Sequence, residues 1–347
     1  MQDEGAFGPI LESNNIPFYT LNMDKEFKES FKGFLKLIKL LKQESPDILQ
    51  TWLYHADLVG TFAGLLAGIK SIIWNIRCSN MDLSHYSIKT RLVIKLCALF
   101  SFIPKYIIAN SDKGRIIHQA LGYCKKSFRF IPNGFDAKIY QSDPNERLKA
   151  REAFQVEEGT FVVGMIARFD KMKDHKTFLQ AAGILKNEFP NICFVLAGSE
   201  IDAANQELMT EAETQALNNT LHLLGPRQDI PFVMQALDVL VLSSSFGEGF
   251  PNVLAEAMLC EIPPVSTDVG DAALVVSDFG CIVPPEDPEA LAKGVSTFLT
   301  MDPTKRRELG KMARAHIIEN FSLEKMISRY EALYSTAFKG PEYAQSD

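Results

Sequence analysis

The sequence predicts an α/β protein with two parallel-sheet domains facing a cleft. Three observations point there. A chain of 347 residues suits about two domains, each with its own core. Short apolar runs alternate with helix-period segments along most of its length, as in strands joined by crossover helices. The charge also divides near the middle. Residues 1–150 carry 20 basic and 14 acidic side chains, residues 151–347 carry 16 and 29, and the net of −7 is made of +6 and −13. Such asymmetry predicts different partners for the halves, the first facing something anionic. With 46% hydrophobic and 23% charged residues, disordered, collagen-like and disulfide-scaffold classes are excluded. The acidic balance argues against a general nucleic-acid binder.

Taken in order, 47–53 reads as a strand, 56–68 as a helix and 71–76 as a second strand. A helix over 88–102 ends at Pro104, because proline cannot continue it. Strands at 106–110 and 127–131 flank a helix over 112–121, and Pro132-Asn133-Gly134 marks a turn. In the second half, strands are predicted at 161–168, 192–198, 221–224, 239–244, 263–267 and 281–284, with helices between most of them. Helices near 288–300, 303–319 and 323–338 close the chain. The polar stretch 136–158 reads as the connection. The expected organisation is therefore two Rossmann-like domains, 1–140 and 155–320, followed by a segment 321–347.

The six cysteines, 78, 97, 124, 193, 260 and 281, are scattered without a C-x-x-C pair, most of them in apolar strings. They read as reduced core residues of a cytosolic protein. The start, Met1 to Gly5, has no signal-peptide pattern. The apolar charge-free run Leu58 to Ile69 is too short to span a bilayer.

Several chemistries are missing from the sequence. There is no P-loop, no G-x-G-x-x-G, no zincin helix and no G-x-S-x-G elbow. No Asp-x-Asp pair is present to hold a metal on a nucleotide diphosphate. The informative segment runs from Ser243 to Met258, where an apolar strand enters a Ser/Gly loop and then a helix opened by Pro251. Carboxyl ends of strands are where open α/β sheets bind ligands, and the N–H groups of a new helix favour an anion such as phosphate. Glu248 precedes that helix and Glu256 lies about one turn inside it, so both carboxylates can border one ligand and accept bonds from sugar hydroxyls. An acidic helix start with a solvated Glu is the plainer reading. A second cluster, Arg168 to His175, follows the strand at 161–168. Its Arg168 and Lys173 are suited to neutralising a diphosphate, against the plainer reading of a charged surface turn.

Glu248-x7-Glu256, Arg168 with Lys173, Pro132-Asn133-Gly134-Phe135-Asp136, Leu224-Gly225 and the closing Phe321-Ser322-Leu323 together resemble the GT-B retaining glycosyltransferases of family 4. The resemblance covers nearly the whole chain. It implies that Glu248 contacts the donor sugar, Glu256 holds the ribose, and Arg168 and Lys173 bind the diphosphate. It further implies that Gly249, Phe250, Pro251, Asn252 and Val253 cradle phosphate and sugar, that Gly198, Gly225 and Arg227 lie at the base pocket, and that the last helix returns toward the first domain. No cofactor or metal is implied, the nucleotide-sugar being a substrate. Two departures stand out: Asp271 and Leu274 follow Gly270 where the family has a second Gly and then a Glu, and the chain opens as if the first strand-helix-strand of its N-terminal domain were missing.

Residues 51–138 hold 12 basic and 4 acidic side chains. The helix near 88–103 joins Lys89, Arg91 and Lys95 to Leu92, Val93, Leu96, Leu99 and Phe100. An amphipathic face of this kind suits anionic lipid, although solvated lysines on a core helix would read the same. His55 and Arg77 follow strands and are placed on the acceptor side. The expected activity is transfer of a sugar from an NDP-sugar, UDP above others, to a glycan or polyprenyl-linked acceptor in surface polysaccharide assembly. The expected place is the cytoplasm, peripheral on the inner face of the plasma membrane. Two other readings stay open: a nucleotide-sugar epimerase of the same fold, and a non-catalytic partner that binds nucleotide-sugar.

Overall fold

The computed structural model describes residues 8–21, 23, 27–77 and 87–339. Helices α1 (Gly8–Ser13) and α2 (Phe27–Glu44) precede the first sheet. That sheet is built from β1 (Ile48–Trp52), β2 (Ser71–Ile76), β3 (Tyr106–Ala109) and β4 (Phe128–Phe130), connected by α3 (Tyr54–Ala67), α4 (Ile88–Phe100) and α5 (Asp112–Ala120). Its strands are parallel and in sequence order. Residues 1–7 lie outside the described residues.

The second half adds α6 (Pro144–Ala153), β5 (Phe161–Ile166), α7 (His175–Glu188), β6 (Ile192–Ala197), α8 (Gln206–Thr214), β7 (Leu221–Leu223), α9 (Ile230–Gln235) and β8 (Val239–Leu242). It continues through α10 (Asn252–Leu259), β9 (Pro264–Thr267), α11 (Ala272–Val276), β10 (Cys281–Val283), α12 (Pro288–Leu299), α13 (Pro303–Phe321) and α14 (Leu323–Lys339). The six strands, all parallel, run β10-β9-β8-β5-β6-β7. Every residue of β2, β6 and β8 is buried, as helices on both faces of a parallel sheet require. The order reverses between β5 and β8, and a crevice opens at the carboxyl ends of strands flanking such a switch.

Two expectations are corrected. Strands 161–168 and 239–244 each stop two residues early, where the chain turns into the loops at the crevice. The stretch expected to be a polar connector holds α6, started by Asp143, whose carboxylate caps the N–H of Asn145 with Pro144 at the first turn. Ala150 and Phe154 are buried in the core under the second sheet. The connector is thus shorter than 136–158, and the second domain begins before 155.

The chain crosses between the halves twice, and the crossings touch. Phe135 donates its N–H to the Phe321 carbonyl at 2.9 Å and accepts from the Leu323 N–H at 3.0 Å. A Cβ on Gly134 would lie 2.9 Å from Leu323 Cα, which accounts for the glycine in the Asn-Gly turn. Helix α14 then packs on the first sheet, Leu333 and Ala337 being buried with Ile73, Ile108 and Ile131. Residues 340–347 lie outside the described residues. Of the cysteines, 97, 193 and 260 are buried and 124 and 281 half-buried, all free thiols; Cys78 lies outside the described residues.

Candidate active site

The carboxyl edge of the second sheet gathers the residues singled out from the sequence. After β8, the loop 243–249 is tied to the loop after β5. Ser243 donates to the Lys173 carbonyl at 2.9 Å and to the Asp174 carbonyl at 3.0 Å, and the Ser245 N–H bonds the Met172 carbonyl. Within this frame Glu248 is buried at 7% exposure. Its Oε1 receives the Lys173 ammonium at 2.5 Å and the Ser244 hydroxyl at 2.6 Å. A buried pair of this kind needs further polar bonds to offset desolvation, and Ser244 supplies one. Lys173 therefore does not stand alone before a diphosphate but is already paired. Arg168, 59% exposed, turns to Asp170 at 3.1 Å.

Backbone geometry shapes the loop. A Cβ on Gly270 would strike the carbonyl oxygens of Glu248 and Gly249, and one on Gly198 would strike the Ala167 carbonyl. Gly249 faces the first sheet, its Cβ position lying 3.7 Å from the Arg77 carbonyl and 3.8 Å from Ser111 Cβ. Helix α10 begins directly after this loop, with Pro251 as its cap and Phe250 buried against Phe135 and Phe321. Asn252, exposed at the helix start, accepts 2.7 Å from the Asn133 amide across the cleft. Val253 is half-buried beside it.

Other expected residues are more dispersed. Glu256 is mostly buried and held by the Tyr140 hydroxyl of the connecting segment, and burial raises its pKa against that bond. Among the described residues it shares no partner with Glu248. Gly225, two residues past β7, is in the left-handed region, φ 64°, and its carbonyl receives the Gly198 N–H at 2.8 Å. Arg227 is engaged by Asp229 at 2.5 Å. Arg77 reaches the cleft from β2, whereas His55 is exposed on the first turn of α3, one strand further out. A cavity of about 530 Å³ lined by Arg147, Asp238, Glu261 and Arg306 opens where β8 and β9 begin. That is the opposite edge of the sheet.

Residues 146–316 match the family model of glycosyl transferases group 1. The UDP-Gal:α-D-GlcNAc-diphosphoundecaprenol α-1,3-galactosyltransferase of Escherichia coli is 25% identical, over 96% of this chain and 87% of its own. The capsular polysaccharide biosynthesis glycosyltransferase CapM of Staphylococcus aureus is also 25% identical, over 90% and 82%. Among solved structures, HepE of Anabaena in complex with UDP superposes with a TM-score of 0.85 at 24% identity, covering 96% of this chain and 90% of that one. Sucrose-phosphate synthase of Thermosynechococcus elongatus gives 0.78 at 20% identity, over 93% and 81%. The chain is a glycosyltransferase of the GT-B fold.

Three groups at this glycosyltransferase's cleft were not found from the sequence. Ser244 looked like one of three loop serines, and only the fold shows which one meets Glu248. Tyr140 carries no local signal at all. Asp271, noted as a departure, is 3% exposed and reaches across the cleft. Its carboxylate accepts from the Ser111 hydroxyl at 3.0 Å and from the N–H groups of Asp112 and Lys113 at 2.7 and 2.9 Å. It thereby caps α5 of the first domain from the second.

Proposed function

We propose that the protein is a family 4 enzyme that transfers a sugar from a UDP-sugar to a hydroxyl of a lipid-linked glycan, retaining anomeric configuration and needing no metal. The observation that carries this is the convergence of the Glu248–Lys173 pair, Arg168 and the start of α10 at the switch point, facing Arg77, Asn110 and Ser111. Cations beside a helix N-terminus suit a leaving diphosphate. Arg168 and Lys173 take its charge, Gly249 to Val253 offer N–H groups, Glu248 orients the donor sugar and Glu256 the ribose. The acceptor oxygen attacks the anomeric carbon from the face the diphosphate leaves. The C1–O bond to phosphate breaks, and the acceptor proton passes to the departing phosphate oxygen. The identity of the Escherichia coli relative supports a glycan diphospholipid as acceptor class.

A lipid-linked acceptor places the enzyme at a membrane, and one face suits it. Helix α3 packs between α2 and α4. Its outward Phe62, Leu65 and Leu66 are exposed, as are Leu35 of α2 and Leu92 and Leu99 of α4. Lys32, Lys36, Lys39 and Lys42 lie along α2, and Lys89 and Lys95 on α4. Apolar centre and basic flanks match an anionic leaflet. No helix among the described residues is long and apolar enough to cross a membrane.

The test is an incubation of UDP-galactose, UDP-glucose or UDP-N-acetylglucosamine with a short-chain GlcNAc-diphospholipid, with and without EDTA, reading the new linkage by NMR. The expected result is an α-linked product from an α-linked donor, unaffected by EDTA. Inversion, or loss of activity on chelation, overturns the mechanism. UDP binding without transfer or hydrolysis favours the non-catalytic reading, and epimerised donor without acceptor favours the epimerase. Glu256→Ala is expected to weaken UDP binding about tenfold or more, the worth of a charged hydrogen bond; unchanged affinity removes the ribose assignment.

A further inference from the structure

We propose that Trp52, with Arg77, is a stacking platform for the acceptor's sugar ring. This rests on the reading of the protein as a transferase acting on a glycan acceptor. The chain has two tryptophans. Trp74 is wholly buried, while Trp52 is 47% exposed at the last position of β1. A large aromatic left in water at the carboxyl edge of a strand is where ligand sites form in such sheets.

Its surroundings are built in advance. Arg77 lays its guanidinium 4.8 Å from the Trp52 ring centroid. That guanidinium is clamped: Nε donates to Asn75 Oδ1 at 2.8 Å, one terminal nitrogen to Asn133 Oδ1, and the other to the Tyr330 hydroxyl at 3.0 Å. Asn75 is held in turn by Tyr330 at 2.9 Å. A guanidinium carries five N–H donors, and among the described residues these three bonds leave two for a ligand. The residue after Trp52 is Leu53, at φ 70° and ψ 155°, a region that L-residues avoid unless the surroundings enforce it. Its N–H bonds the Asn75 carbonyl at 3.2 Å, which fixes the exit from β1. Leu53 is itself 53% exposed, so the strained turn buries no side chain that would explain it.

Chemistry and position agree. The C–H face of a sugar ring packs on an indole, and its hydroxyls accept from a guanidinium. The Arg77 carbonyl lies 3.7 Å from the Cβ position of Gly249, next to Glu248. A sugar on Trp52 is thus adjacent to the loop proposed to hold the donor sugar.

The test uses intrinsic fluorescence, since only one of the two tryptophans is accessible. With UDP at saturation, the probes are octyl GlcNAc-diphosphate and the methyl glycosides of GlcNAc, galactose and glucose. At least one is expected to protect the exposed tryptophan from acrylamide, and Trp52→Phe is expected to abolish the response. In transfer assays Trp52→Ala is expected to raise the acceptor KM roughly 3- to 10-fold, the range of an aromatic contact, with Trp52→Phe restoring most of it. UDP affinity of each variant reports that the donor half is folded. No protection by any probe overturns the platform, as does an unchanged acceptor KM in Trp52→Ala. Loss of binding to anionic vesicles with unchanged acceptor KM assigns the ring to the membrane instead. Failure of the wild type to transfer or hydrolyse any donor strikes the functional reading, while the quenching experiment still decides this one.

Discussion

Asp57 is a carboxyl group buried in the first domain, in the first turn of α3. It accepts from the Thr51 hydroxyl at 2.5 Å, and its second oxygen has no partner among the described residues. Burial pushes its pKa up to about 8, against the Thr51 and Asn75 bonds. A folded pKa above the unfolded one means that the folded state holds the proton longer. Stability from this site therefore falls as pH rises from about 4 to 8. His118 and His175 act in the opposite sense, burial pushing both down to about 4, so stability is lost as pH falls from about 6.5 to 4. Asp57→Asn is expected to add a few kcal/mol at pH 8 and to flatten the neutral limb while leaving the acid limb. Urea titrations across pH check it, and an unchanged slope in the variant refutes it. At this scale the sequence made Glu248, Lys173 and Arg168 readable, since spacing beside strand ends betrays them. Asp57 and Trp52 were not readable. One becomes unusual only when its second oxygen finds no partner, the other only when a neighbouring strand delivers Arg77.

Alternation of apolar runs with helical segments made most elements readable, down to α14. Their edges were less so, because nothing in Ala167 after β5 or in Ser243 and Ser244 after β8 forbids a strand from continuing. Helix α6 was read as linker because ten residues with five charges look solvated, while its buried side is made by Ala150 and by Phe154 just beyond it. Contacts between distant elements were invisible, and Asp271 at the start of α5, 160 residues away, is the clearest. It satisfies N–H groups that a helix start leaves unpaired. Asp271→Ala is expected to cost about 1–2 kcal/mol, as loss of a helix cap does, and to loosen the cleft. A lower Tm with a larger radius of gyration in solution scattering supports this; a lower Tm with unchanged dimensions makes the contact merely local.

Over the whole molecule, the charge division becomes a division of surfaces. The acidic half places Arg168 and Lys173 at the switch point, where Lys173 meets Glu248, and the basic half carries lysines around the apolar face of α3. Flotation with phosphatidylglycerol vesicles is expected to carry the protein upward, with roughly 1 kcal/mol contributed per lysine near the surface. Lys36→Glu with Lys39→Glu is expected to abolish this at physiological salt. Binding insensitive to that reversal would remove the surface from the membrane.

The return of α14 also bears on how the protein is made. The first domain is not a contiguous stretch of sequence, because Ile73 and Ile108 are covered by residues near 333 and 337. While the chain is being synthesised, Ile73 and Ile108 lack the cover of Leu333 and Ala337 until α14 leaves the ribosome. The half translated first is therefore the half completed last. A nascent chain halted before Leu323 would present an uncovered sheet face to chaperones, however well its second domain had already folded.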